Sequence, residues 1–168
     1  MVRVATLPPA TRLSVRGDDA AVDAIGRAFG VALPREACRA ATGGGRAALW
    51  LGPDEWLLIA PTGEASSLMA AMGEMLGEVP ASLVEISDRQ VAIEVAGEKA
   101  AEAINAFNAL DLDIDTFPVG MCTRTLFGKA EIVLWRTALQ TFHVEVWRSF
   151  APYVQGCLGE AIREYGVA

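Results

Sequence analysis

Apolar and polar residues alternate in some stretches of this chain and recur at helical spacing in others, and each change of period marks an element. Residues 1–12 read as an extended arm, because Pro8 and Pro9 disfavour helix. Leu13-Ser-Val-Arg16 alternates as a strand and stops at Gly17. Asp18 or Asp19 then caps a helix running to Phe29, with Val22, Ile25 and Phe29 on one face and Gly30 as its end. Residues 31–45 read as a loop containing Pro34 and a flexible Gly43-Gly44-Gly45 run. Arg46–Leu51 and Trp56–Ala60 flank Gly52-Pro53-Asp54-Glu55 as a hairpin. A second helix spans about 64–76, with Leu68, Met72, Met75 and Leu76 inward.

The pattern then starts again. Leu83–Ser87 reads as a strand, Asp88-Arg89 as a kink or turn, and Gln90–Ala96 as a clean alternation with Val91, Ile93 and Val95 on one face. Gly97 precedes a helix from Glu98 to about Ala109 that groups Ala100, Ile104 and Phe107. Asp111–Pro118 is an acidic loop. Three short strands follow, at Cys122–Phe127, Ala130–Trp135 and Thr141–Trp147. A last helix runs from Ser149 to about Tyr165, with Pro152 in its first turn and Val154, Leu158, Ile162 and Tyr165 as its buried stripe.

Val15-Arg16-Gly17 before a helix resembles Val95-Ala96-Gly97 before a helix, at an offset of 80 residues from Gly17 to Gly97. In each half a tryptophan-bearing hairpin and a closing helix follow. The order β-α-β-β-α, used twice, places helices on one face of an antiparallel sheet. The expected fold is therefore α+β, with mainly antiparallel sheets. After the arm at 1–12, residues 13–168 form a single domain of two pseudo-symmetric halves, about 13–80 and 81–168. The Leu83–Ala96 segment links the halves and contributes strands to both.

The chain has 168 residues, 52% of them hydrophobic, and a mean hydropathy of +0.32. A chain of this length buries a sizeable core without disulfides or metals. The apolar excess points to a core plus a protein interface. A net charge of −7 with no basic stripe argues against nucleic acid and against anionic membrane surfaces. Cys38, Cys122 and Cys157 are widely spaced, and the single histidine cannot complete a zinc set, so they read as reduced thiols. Met1–Pro9 lacks a basic patch followed by an apolar stretch, which gives a cytoplasmic expectation.

Candidate chemistry is sparse. His143 and Glu145 share one strand face with Trp147, and the first two can be read as an acid–base pair or as ordinary neighbours. Gly43-Gly44-Gly45-Arg46 precedes a strand, the wrong context for a phosphate-binding loop. Arg89, Arg124, Arg136 and Arg148 stand out because planar guanidinium groups suit carboxylates, in a ligand or in a partner chain. The competing assignment pairs Arg89 or Arg124 internally with Asp88 or Glu85. Trp50, Trp56, Trp135 and Trp147 all lie in or beside strands, where each fills a core or, with arginine, an interface.

Four motifs in order carry a resemblance across roughly residues 13–165: Leu51-Gly-Pro-Asp-Glu-Trp-Leu-Leu58, Val84-Glu-Ile-Ser-Asp-Arg-Gln90, Thr123-Arg-Thr125 with the strand pair Glu131–Trp135 and Phe142–Trp147, and Arg148-Ser-Phe-Ala-Pro-Tyr153. Together they resemble the gamma subunits of heterotetrameric sarcosine oxidase. The resemblance implies a fold like the folate-binding domain of glycine-cleavage T-protein and its YgfZ-type relatives. It implies partner alpha, beta and delta chains, with FAD, FMN, NAD and tetrahydrofolate on alpha and beta, zinc on delta, and no cofactor on this chain. The assembly would oxidise sarcosine to glycine, pass the one-carbon unit to tetrahydrofolate and form peroxide. On this reading the chain is non-catalytic, and Trp50, Trp56, Arg124, Trp147 and Arg148 are the interface candidates. Whether the isolated chain self-associates is left open. The alternative is a stand-alone folate or pterin module of aminomethyltransferase type, with Asp88, Arg89 and Arg124 as its candidate ligands. The YgfZ-type cysteine motif is missing, so that chemistry does not carry over. A third possibility is a small enzyme using His143 with Glu145.

Overall fold

The computed structural model describes residues 1–165; residues 166–168, counted in the second half above, lie outside the described residues. Among the described residues the chain runs β1 (Arg3–Thr6), β2 (Thr11–Gly17), α1 (Asp19–Phe29), β3 (Ala40–Gly43), β4 (Arg46–Gly52), β5 (Glu55–Ala60), α2 (Ala65–Leu76), β6 (Ala81–Glu85), β7 (Gln90–Ala96), α3 (Ala100–Asn105), β8 (Cys122–Phe127), β9 (Ala130–Ala138), β10 (Thr141–Trp147) and α4 (Ala151–Arg163). They sort into two compact units, one of Pro9–Ser87 and one of Met1–Pro8 with the chain from Asp88 on.

In the Pro9–Ser87 unit an antiparallel sheet has the order β3-β4-β5-β2-β6. Helix α1 begins where Asp18 accepts a hydrogen bond from the Ala21 N–H at 3.0 Å, and ends where the Gly30 N–H donates to Gly26. Such a side-chain cap is worth about 1 kcal/mol. Its stripe Ala21, Val22, Ile25 and Phe29 packs with Leu68 and Met72 of α2 on Leu13, Val15 and Leu58 of the sheet.

The glycine run is more ordered than the sequence suggests. Gly44 and Gly45 have φ of 58° and 77° and close a hairpin between β3 and β4. Two successive positive φ values are what a tight hairpin turn matching strand twist requires, and glycine supplies them without steric cost. Strand β3 is too short to show alternation, so it was hidden in the expected loop. Met75, expected inward, is exposed: the buried stripe of α2 is Ala65, Leu68, Met72 and Leu76, and Met75 falls about 100° round from Leu76.

The second unit repeats the plan, with sheet order β1-β7-β10-β9-β8, again antiparallel. Each unit thus has two more strands than the three of the β-α-β-β-α order: three strands instead of two follow its first helix, and a fifth joins the sheet. The fifth place is filled by β6 in one unit and by the N-terminal strand β1 in the other. The arm is therefore a working edge strand from Arg3 to Thr6, and the units divide at Ser87 and Asp88, because β6 pairs with β2 and not with β7. The linking segment does supply a strand to each. At Gly97, φ is 136° and an added Cβ would lie 2.1 Å from the Met1 carbonyl oxygen, so only glycine lets the N-terminus pass.

Helix α3 is shorter than its apolar spacing predicts. Asn105 Nδ2 donates to the Asn108 carbonyl at 3.1 Å, Asn108 Nδ2 donates to the Leu126 carbonyl at 2.7 Å, and Asn108 Oδ1 accepts from the Leu110 N–H at 2.9 Å. These bonds give the backbone an alternative to further helix. The core of this unit joins Ile93 and Val95, Ile104, Phe127, Ile132 and Leu134, Phe142 and Val144, and Val154 and Leu158.

Candidate interaction surface

Strand β10 sends Phe142, Val144 and Val146 into the core, so His143, Glu145 and Trp147 point to the opposite face. At its end Trp147 is 44% exposed. The Arg148 N–H donates to the Arg89 carbonyl at 2.8 Å, tying the end of β10 to the start of β7. The Arg89 guanidinium lies 4.9 Å over the Trp147 ring. Arg148 Nη2 stands 3.7 Å from Asp88 Oδ1, in an open pair of the kind that contributes little to stability. Asp88, Arg89, Trp147 and Arg148, picked out separately from the sequence, therefore meet in one place.

The chain turns at once into α4. The Phe150 N–H donates to the Trp147 carbonyl at 2.8 Å, Phe150 occupies the N-cap position without a side-chain capping bond, and Pro152 sits in the first turn. Phe150 is 43% exposed, and Tyr153 one turn on is also exposed. The Tyr153 hydroxyl accepts from the Lys129 N–H at 3.2 Å, which fixes the β8–β9 turn beside the helix start. Leu126 on β8 is 61% exposed and faces Glu131 across the strand pair. Arg124 Nε lies 3.7 Å from Glu131 Oε1. The sequence reading missed Leu126, Phe150 and Tyr153. Pro152 was the signal: by fixing the helix start, it places residues 150 and 153 on one helical face.

The other arginine candidate has a structural task. Arg136 is buried and donates from Nη1 to the carbonyls of Leu112 (3.1 Å) and Phe117 (2.7 Å), and from Nη2 to that of Leu139 (2.8 Å). Its guanidinium also stacks 4.8 Å over the Phe142 ring. Burial lowers its pKa, and Asp113 acts in the opposite sense.

His143 Nε2 is 2.7 Å from Glu145 Oε1, and Glu145 is fully buried. The imidazole also lies against Trp135, with ring centroids 5.5 Å apart. This is a hydrogen bond built into the sheet. In the Pro9–Ser87 unit, Trp50 and Trp56 face each other across β4 and β5. Trp56 is only 2% exposed, with its indole N–H donated to the Pro34 carbonyl at 2.8 Å, so it is a core residue and not an interface side chain. Trp50 is partly buried and lines a cleft of about 220 Å³ with Asp18, Asp19, Arg35 and Pro53. Asp18 and Asp19 are engaged there by the Ala21 N–H and by Arg35. Among the described residues no helix is long and apolar enough to cross a membrane.

Comparison with known proteins bears on what such a surface serves. The chain is 32% identical over 161 residues to a sarcosine oxidase subunit gamma from Arthrobacter sp, spanning 93% of this chain and 77% of that one. A chain of the heterotetrameric sarcosine oxidase from Corynebacterium sp. U-96, solved with pyrrole 2-carboxylate, matches with a TM-score of 0.92 at 28% identity, over 99% of this chain and 86% of that one. The glycine cleavage system aminomethyltransferase T of Bartonella henselae shares the fold, with a TM-score of 0.72 at 12% identity over 94% of this chain and 45% of that one. The model of the sarcosine oxidase gamma subunit family matches residues 15–164, and the chain belongs to that family.

Proposed function

We propose that this chain is a non-catalytic, structural subunit of a heterotetrameric sarcosine oxidase. Its partners would be alpha, beta and delta chains, in the cytoplasm. Those chains would hold FAD, FMN, NAD, tetrahydrofolate and zinc, demethylate sarcosine to glycine, pass the one-carbon unit to tetrahydrofolate and form peroxide. The observation that carries the reading is the match along 99% of this chain to a chain of a heterotetrameric sarcosine oxidase.

The side-chain chemistry agrees with it. The imidazole of His143 is engaged by a buried carboxylate, and Arg136 by backbone carbonyls. What stands outward is Trp147 with its stacked arginine and the aromatic start of α4, a surface suited to holding another protein. The folate-module alternative draws on the shared fold alone. Asp88, its candidate carboxylate, has a side chain 105% exposed, where water competes for every ligand contact.

Co-expression of a tagged chain with the other three subunits tests the proposal. A yellow complex with sarcosine-dependent peroxide production is expected. Recovery of the chain alone and colourless would overturn it, and calorimetric titration with tetrahydrofolate would then test the alternative.

A further inference from the structure

We propose that the surface formed by Leu126, Trp147 and Phe150, rimmed by Arg89, Lys129 and Arg148, seats in an apolar recess lined with carboxylates on a partner subunit. The inference rests on the subunit reading above and assigns that role to a particular face.

Single exposed apolar residues are ordinary. Here Trp147 and Phe150 lie within one turn of chain, and Leu126 stands in the strand hairpin that Tyr153 fastens to the helix start. Trp and Arg are the residue types most enriched at interface hot spots. Arg89 covers the Trp147 ring, so the indole is already ordered and loses little freedom on docking. Stacking uses the face of the guanidinium, whereas a carboxylate engages its N–H edge, so one Arg89 can serve both.

Charge decides the occupant. The charge of Arg124 is offset by Glu131, 3.7 Å away. The cations Arg89, Lys129 and Arg148 stand against the carboxylate of Asp88, on a chain whose net charge is −7. The corner is locally basic on an acidic protein. A second copy docking through the same face would set these arginines against their own symmetry mates, because a two-fold interface pairs a patch with itself. A different chain presenting carboxylates has no such penalty and gains electrostatic steering.

The test is the affinity and association rate of the purified chain for the complex of the other sarcosine oxidase subunits, at low and moderate salt. W147S/F150S is expected to bind on the order of 30-fold more weakly or worse, as for a lost hot spot. R89E/R148E is expected to associate more slowly, and with a weaker salt dependence than the parent chain. Circular dichroism and thermal melting show whether each variant is folded. If W147S/F150S does not fold, R89E/R148E decides, because both arginines are exposed. Folded variants that bind as the parent does would overturn this face while leaving the subunit reading intact. A dimer of the isolated chain that W147S/F150S disrupts, with partner binding unchanged, would assign the face to a second copy and overturn the proposal. Failure of the parent chain itself to assemble would overturn both readings.

Discussion

Replacing Arg136 with methionine separates a structural arginine from a ligand-binding one. The guanidinium reaches the carbonyls of Leu112, Phe117 and Leu139, and so joins the acidic loop to the end of β9. Methionine keeps much of the side-chain volume and the contact with Phe142 but donates nothing. Each buried carbonyl that loses its donor costs about 1–3 kcal/mol. The loop at 111–118 is largely exposed and can admit water to part of the gap, so the low end applies: roughly 3 kcal/mol for the three acceptors. Relief from burying a charge offsets some of this, leaving a net loss of about 2–3 kcal/mol. For a chain of this size that lowers Tm by roughly 4–12 °C, since each kcal/mol shifts it by about 2–4 °C. R136K keeps the charge as a point donor that cannot span all three carbonyls, and should lose about half as much. Urea unfolding and scanning calorimetry measure both. If R136M lies within about 0.5 kcal/mol of the parent, the size of an ordinary surface change, the loop is not held by this residue and the reasoning fails.

Asp18→Ala should cost about 1 kcal/mol of stability by removing the α1 cap, read as a lower urea midpoint at constant m. Gly45→Val should cost about 1–2 kcal/mol, because φ of 77° is a left-handed position that a β-branched residue resists; an unchanged midpoint would remove the tight turn from the account. His143→Gln retains a donor toward Glu145, so sarcosine turnover by the assembled complex should stay within about twofold of the parent. A fall on the order of 100-fold with assembly intact would make His143 an acid–base catalyst.

What the sequence disclosed depended on how far each signal reached along the chain. Helix α1 was legible at both ends because its cap, stripe and terminal glycine lie within a dozen residues and act locally. Strands β4, β5, β7 and β10 announced themselves by alternation or by bounding turns. Helix α3 was overextended because its end is dictated by Asn105 and Asn108, and Asn108 bonds a carbonyl on β8 that no local pattern reveals. Strand β3 was missed because four residues are too few for a period, and the edge role of β1 because its partner β7 comes some ninety residues later. The same reach governs the surface. Arg136 and Arg89 look alike in sequence, each a lone arginine near strand residues. One proves to be buried under a loop and the other to lie over an exposed indole, and only the pairing of β7 with β10 tells them apart. Trp56 and Trp147 divide in the same way: one packs into the core of its unit, and the other closes β10, where the strand ends and its ring is left exposed although Glu145 on the same face is buried. A docking face is harder to read than a catalytic site for a further physical reason. Catalysis marks itself by rare groups held at hydrogen-bonding distance, whereas docking uses common apolar and cationic side chains whose meaning lies in being left uncovered together.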